Sequence, residues 1–172
     1  MATKTQYLLG LLSMTVLLLS SCSTGSKVPS VNPSDLPAIS FKALSPRSLQ
    51  IVTKDTRSVN QTAGNSVEVE KSISDVLSSA AIKGGLEIDS KSENKFLVLI
   101  SDYQGDDGKM GRCVKITGSL TAKWGSTIAA EAFACHQIKH HGGNLSKAYT
   151  LALKTVLQSL ESQQMVLLGR TM

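Results

Sequence analysis

The stretch Arg112–Lys139, RCVKITGSLTAKWGSTIAAEAFACHQIK, decides the fold of this chain. It reads as two strands, Arg112 to Lys123 and Ser126 to Lys139. Lys123-Trp124-Gly125 suits a three-residue hairpin loop between them, with Gly125 at the left-handed position that forms a bulge. Closing that loop on Ala122 and Ser126 makes paired residue numbers sum to 248. Val114 then faces Ala134, Ile116 faces Ala132, Gly118 faces Ala130 and Leu120 faces Ile128. One face of the hairpin is therefore wholly apolar or glycine, which supports the register independently of the turn. The same register sets Cys113 opposite Cys135. Alternate counting from the closing pair puts them at a non-hydrogen-bonded site, where Cα atoms lie about 4.5 Å apart, within disulfide range. A disulfide is expected; a bulge that shifted the register would leave two free thiols instead.

Upstream, Lys95 to Tyr103 contains the run Phe96-Leu97-Val98-Leu99-Ile100 and reads as a strand covered on both faces. Asp107-Gly108 is a two-residue hairpin signal. In that register Phe96, Val98 and Ile100 fall on the face opposite the alanines and are joined there by Phe133. Two expectations follow for this apolar outer face: cover by Leu36, Ile39 and Phe41, or use as a partner-binding surface made of Phe96, Val98, Ile100 and Phe133.

Ser48 to Lys54 has β character, and a polar loop leads from it to a helix. The helix places Val69, Ile73, Val76, Leu77, Ala80 and Ala81 on one face. Asn65 and Glu68 form a capping-box pattern, and Gly84-Gly85 supplies the stop. After Gly142-Gly143, Asn144 opens a second helix with Leu145, Ala148, Tyr149, Ala152, Leu153, Val156, Leu157 and Leu160 inward. The order β-α-β-β-β-α predicts an α+β fold: a small mixed sheet of about four strands with two helices packed on one face.

The N-terminus has a different character. Lys4, the apolar stretch Tyr7 to Leu19 and the small residues Ser20 and Ser21 read as a secretory signal, too short to span a bilayer. Leu19-Ser20-Ser21-Cys22 resembles the lipobox of bacterial lipoproteins, with Ser where Gly or Ala is more usual before the cysteine. The resemblance implies cleavage before Cys22, a diacylglyceryl thioether on its sulfur and an acyl chain on its new amine. Three chains exceed the two signals that stable anchoring requires. Ser23 follows, and in Gram-negative bacteria this implies the outer membrane, with the chain facing the periplasm. Pro29, Pro33, Pro37 and Pro46 hold all the proline of the chain, and together with nearby serines they predict an extended tether. Leu36, Ile39, Phe41 and Leu44 predict that its second half lies against the domain. The expected organisation is a signal over 1–21, lipidated Cys22 and tether over 22–46, one domain over 47–165 and a tail over 166–172.

Composition narrows the function. Loss of Lys4 with the signal takes the formal charge from +5 to +4, a mild excess spread along the chain. Nucleic-acid binding calls for a basic stripe with interleaved aromatics, and aromatics make up only 4% of the residues. With Cys22 lipidated, Cys113 and Cys135 remain as an even pair in an oxidising compartment. Asp102, Asp106 and Asp107 lack the spacing of a calcium loop. His136, His140 and His141 with Cys135 match no common zinc spacing, and Cys135 and His136 alternate to opposite faces. No phosphate loop or serine nucleophile elbow occurs. No enzyme, metal or cofactor is expected, nor a small-molecule ligand, although inward Gly118, Ala130, Ala132 and Ala134 leave room for a lipid cavity.

Over residues 36 to 165 the chain resembles the YajG-type lipoproteins of Gram-negative bacteria. The likeness rests on Cys22, the Leu44-Ser45-Pro46 entry, a first strand ending in Asp55-x-Arg57, the capped helix, the β-meander and the final helix. It implies a compartment and a fold but no reaction. Similar small α+β lipoproteins serve as accessory subunits in lipopolysaccharide export or as activators of peptidoglycan synthases. The leading expectation is a non-catalytic structural or accessory module of the envelope, held to the membrane by Cys22 and open to an envelope protein partner. The alternative is a regulatory module that reaches an inner-membrane enzyme of the peptidoglycan-synthase type, and below it stands a lipid- or lipopolysaccharide-binding accessory protein.

Overall fold

The structure, a computed structural model, describes residues 28–57, 65–102, 112–136 and 145–168. Its elements are β1 (Ser48–Asp55), α1 (Ser66–Lys83), β2 (Glu87–Ile88), β3 (Lys95–Asp102), β4 (Arg112–Thr121), β5 (Thr127–His136) and α2 (Leu145–Gln163), followed by a 3-10 turn (Gln164–Leu168). The sheet has five strands in the order β2-β1-β3-β4-β5. β1 runs parallel to both β2 and β3, and β3-β4-β5 form an antiparallel meander. The fold is α+β with a mixed sheet. The strand beyond the expected four is β2, whose two residues are too few to show alternation.

Both helices bury the faces that their spacing predicts: Val69, Ile73, Val76, Leu77, Ala80 and Ala81 on α1, and Leu145 through Leu160 on α2. The Asn65 side chain caps α1 by accepting the Val67 N–H at 3.1 Å, one position short of the capping-box bond. At the other end, Leu86 N–H reaches Ala81 O and Gly85 N–H reaches Ile82 O, with Gly85 at φ +80°. This is a Schellman stop, and it needs the left-handed conformation that glycine tolerates.

The β4–β5 register sums to 248 throughout, from Arg112↔His136 to Thr121↔Thr127. Ala122 N–H bonds Ser126 O at 2.9 Å, Gly125 N–H bonds Ala122 O at 2.8 Å, and Gly125 sits at φ +91°. α2 lies directly over the small residues of this hairpin. A Cβ on Gly118 would come within 2.6 Å of Val156 Cγ1, so the inward alanines and Gly118 accommodate the helix itself. The space once open to a lipid is filled by side chains.

The β3–β4 register differs from expectation. Pairs sum to 216, as in Phe96↔Leu120 and Ile100↔Ile116, whereas a two-residue Asp107-Gly108 turn requires 215. One residue of slip moves a whole strand's side chains to the other face. Phe96, Val98 and Ile100 therefore point under the helices and are completely buried. Leu97 and Leu99 point outward and are half-buried, so β3 is covered on one face only. The Asp107-Gly108 turn lies outside the described residues.

The segment 28–46 belongs to the core as a strap. Val31, Leu36, Ile39, Phe41, Ala43 and Leu44 are buried. Ile39 N–H bonds Ala80 O at 3.0 Å on α1. Ser40 Oγ and Phe41 N–H both donate to the Glu161 carboxylate on α2. The strap thus fills the seam between the helices on the inner side of the sheet. Leu36, Ile39 and Phe41 lie against the domain as expected, but on the opposite side from the outer face they were expected to cover. Gly84 also has a packing role here, because a Cβ at that position would lie 1.9 Å from Ile39 O.

Candidate functional site

Cys113 and Cys135 are joined by a disulfide between residues whose Cα atoms are 4.0 Å apart. The bridge lies on the outer sheet face, toward the end where β5 finishes. Lys115 Nζ and the Glu131 carboxylate pair at 2.8 Å on the same face, and Thr121 and Thr127 share a hydroxyl hydrogen bond at 2.9 Å. Hydrogen bonding from Lys115 holds the Glu131 carboxyl below its ordinary pKa. This is a hydrated, cross-paired surface. Of the four residues expected to make a partner face, only Phe133 is there, 49% exposed; Phe96, Val98 and Ile100 are core. The slip in β3 puts Leu97 and Leu99, both half-buried, on the outer face in their place. Replacing both cysteines with serine is expected to cost about 3 kcal/mol, from the unfolded-state entropy of a loop this long. A urea midpoint unchanged in the double variant would show that the bridge contributes nothing.

The Asp55-x-Arg57 motif at the end of β1 is a buried ion pair. Arg57 Nε donates to Asp55 Oδ1 at 2.7 Å and to Oδ2 at 2.9 Å, and Nη2 also binds Oδ2. The two side chains are 0% and 1% exposed. Arg57 N–H closes an Asx turn onto Asp55 Oδ1 at 3.1 Å, and Asp55 N–H donates to Glu70 Oε1 of α1 at 2.7 Å. Burial pushes the Asp55 carboxyl up, but the Arg57 hydrogen bonds and charge outweigh it, and the net pKa is below 3.8. The Asp55 N–H bond to Glu70 ties the pair and the strand end to α1.

A groove of about 340 Å³ lies between the strap and α2, lined by Pro37, Ala38, Ile39, Leu157, Gln158, Glu161 and Ser162. Its one charged group, Glu161, is already bound by Ser40, Phe41 and Gln164 Nε2. Three donors of the fold thus converge on the groove's one carboxylate.

The surface that sequence reading missed is the end of the domain where the β4–β5 turn meets the last 3-10 turn. Trp124, Met165, Val166 and Leu168 are 42%, 41%, 53% and 42% exposed there. The tip is held rigidly. Trp124 Nε1 donates to Leu167 O, and Leu167 is fully buried beneath it. Asn94, itself fully buried, accepts Lys123 N–H at 2.9 Å and donates to Pro46 O and Ser48 O, each at 3.0 Å. One amide thus ties the hairpin turn to the exit of the strap and the start of β1. An available signal was the run Met165-Val166-Leu167-Leu168, assigned in part to a tail although it continues the apolar pattern past α2.

Among the described residues no group of three His, Cys, Asp or Glu could hold a metal ion. Among the same residues no helix is long and apolar enough to cross a membrane. Cys22, His140 and His141 lie outside the described residues. Comparison with protein-family models and with curated proteins finds no match to this chain.

Proposed function

We propose that this chain is an outer-membrane lipoprotein, anchored through Cys22 and facing the periplasm, that works as a non-catalytic accessory module of the envelope. The observation that carries the reading beyond its lipobox is where the packed strap begins. Pro29 O accepts a hydrogen bond from Ser72 Oγ on α1 at 3.4 Å, and Ser30 N–H donates to Ser146 Oγ on α2 at 2.9 Å. Six residue steps separate Cys22 from Val28, at most about 20 Å of extended chain. A fully free tether over 22–46 would have had a reach on the order of 70 Å. The short link suits a module that works beside its own membrane. It counts against the alternative, an activator reaching an inner-membrane enzyme across the peptidoglycan.

Peptide mass spectrometry of the mature chain is expected to find Cys22 N-terminal and triacylated. Cys22→Ser is expected to move the protein to the soluble periplasmic fraction with an unchanged melting temperature, because the buried core is assembled from residues between Val31 and Leu167. An unmodified Cys22 in membrane-associated protein would overturn the reading.

A further inference from the structure

The end of the domain that carries Trp124, Met165, Val166 and Leu168 is also basic. There β1 and β3 start, β4 turns into β5, and both long helices finish. Three exposed lysines stand around the apolar side chains. Lys123 adjoins Trp124 in the turn. Lys95 pairs with Thr121, three residues before Trp124, and shares the outer sheet face with Leu97 and Leu99. Lys42 comes from the strap on the helix side. Its neighbour Ala43 donates its N–H to Gln164 Oε1 at 3.2 Å, where the last 3-10 turn begins. Among the described residues none of these three ammonium groups is in an ion pair. Of the acids near them, Glu161 is held by Ser40, Phe41 and Gln164, and Glu93 is exposed. Farther off, at the β2 edge, Glu87 and Asp89 are matched by Lys83 and Lys91.

We propose that this end is a docking surface for the anionic face of a lipid bilayer. The indole and the aliphatic side chains enter the boundary between headgroups and acyl chains, and Lys42, Lys95 and Lys123 meet lipid phosphates.

Charge and order of groups carry this choice of occupant. The apolar side chains lie beyond the strand ends, and cations flank them from both the sheet and the helix layer, on long stems that can follow a headgroup. Interfacial protein segments combine the same two things, an apolar face and a basic rim facing anionic lipid. Trp is enriched at that depth of a membrane. Here the indole also enters without losing a hydrogen bond to water, because its N–H is already given to Leu167 O. A second copy docked tip to tip would bring two sets of unpaired lysines together, and like charges so juxtaposed are costly. A protein partner would have to supply an apolar pocket rimmed by acids. An anionic bilayer presents that arrangement at every point of its surface.

The proposal needs no acyl chain on Cys22 and is tested without one. A chain beginning at residue 22 and carrying Cys22→Ser keeps the whole core from Val31 to Leu167. Trp124 is its only tryptophan, so the emission reports on the tip. With phosphatidylethanolamine–phosphatidylglycerol vesicles, that emission is expected to shift to the blue and to be quenched by doxyl label near the headgroups. With phosphatidylcholine vesicles it is expected to stay as in buffer, and added salt is expected to weaken the binding. Lys42→Gln, Lys95→Gln and Lys123→Gln should each lower partitioning about fivefold, the loss of one basic side chain at an anionic surface. Val166→Glu should lower it at least about tenfold. All four change exposed side chains and should leave the melting temperature unchanged. Emission unmoved by either vesicle overturns the proposal, as does equal binding to both or binding indifferent to the lysine changes. In cells, benzophenone-phenylalanine at position 166 is expected to give no polypeptide adduct. An adduct with another protein, or at dimer mass, assigns the tip to protein and overturns the proposal. Mass spectrometry of Cys22 bears on the anchoring alone, so the two readings fail separately.

Discussion

Phe41→Ala is expected to destabilise the domain by about 3–5 kcal/mol, the range for emptying a buried aromatic site. Phe41 is fully buried, and its ring meets Phe96 edge-on with centroids 5.9 Å apart. The loss comes at the middle of the strap, so it acts on more than the cavity. Phe41 also sits at φ +29°, a left-handed conformation that a side chain adopts only when its surroundings hold it there. Those surroundings are the Glu161 carboxylate on its N–H at 3.3 Å, with Leu44 N–H and Arg47 Nη1 on its carbonyl at 2.9 and 3.4 Å. Removing the ring leaves the strained backbone without the burial that stabilises it. Phe41→Gly is therefore expected to be no worse than Phe41→Ala, against glycine's usual disadvantage. Urea unfolding measures the loss, and limited proteolysis should show new cleavage within 28–46. An alanine variant with the parent's midpoint and protease pattern would show that the strap is not held by this residue. The consequence for function is reach, because a released strap lengthens the link between anchor and domain.

Arg57→Ala is expected to cost a comparable 3–5 kcal/mol or so, because it strands a buried carboxylate. The Asp55 side chain is 1% exposed, and its lowered pKa depends on Arg57. In the parent protein the folded-state pKa lies below the ordinary 3.8. The pair's contribution is thus present at pH values above that figure and is lost as the pH falls through the lower folded value. Without the guanidinium, burial is opposed only by the backbone N–H of residue 57 and a Ser66 hydrogen bond, so the carboxyl rises relative to the parent's. The variant therefore lacks the stability that the parent gains as the pH rises past the ordinary carboxylate value. The gap between parent and Arg57→Ala should therefore narrow as the pH falls below 3.8 and widen toward pH 7, as urea midpoints across that range would show. Replacing Asp55 and Arg57 together with apolar residues should recover much of the loss, since neither charge is then left buried alone. A gap independent of pH would show that Arg57 acts through packing only.

The places where sequence reading failed share a cause with these two effects. Asp55-x-Arg57 was legible as a motif, but its energetic weight depends on burial by α1 and by segments distant in sequence. Phe41 was legible as an apolar residue with no reason to be in a solvated tether. That it fills the seam between two helices depends on where those helices end up, which the local pattern cannot specify. Phe96, Val98 and Ile100 alternate correctly for a strand, yet alternation only separates one face from the other. Which of the two is the inner face turned on a single residue in the connection to β4.

The sequence by itself determined the helical faces, the Gly84-Gly85 stop, the register of the β4–β5 hairpin and the pairing of Cys113 with Cys135. Each depends on a short, contiguous pattern: a period of 3.6, a left-handed glycine, or a three-residue turn that counts strand partners outward. Tertiary structure alone decided which face of β3 is core, that the strap starts by residue 28 and fills the seam between the helices, and that Trp124, Met165, Val166 and Leu168 share one exposed end. Those outcomes depend on contacts between segments up to 121 residues apart, such as Ser40 with Glu161. Hydrophobic burial is non-directional, so a local pattern can mark a residue for burial without naming what buries it.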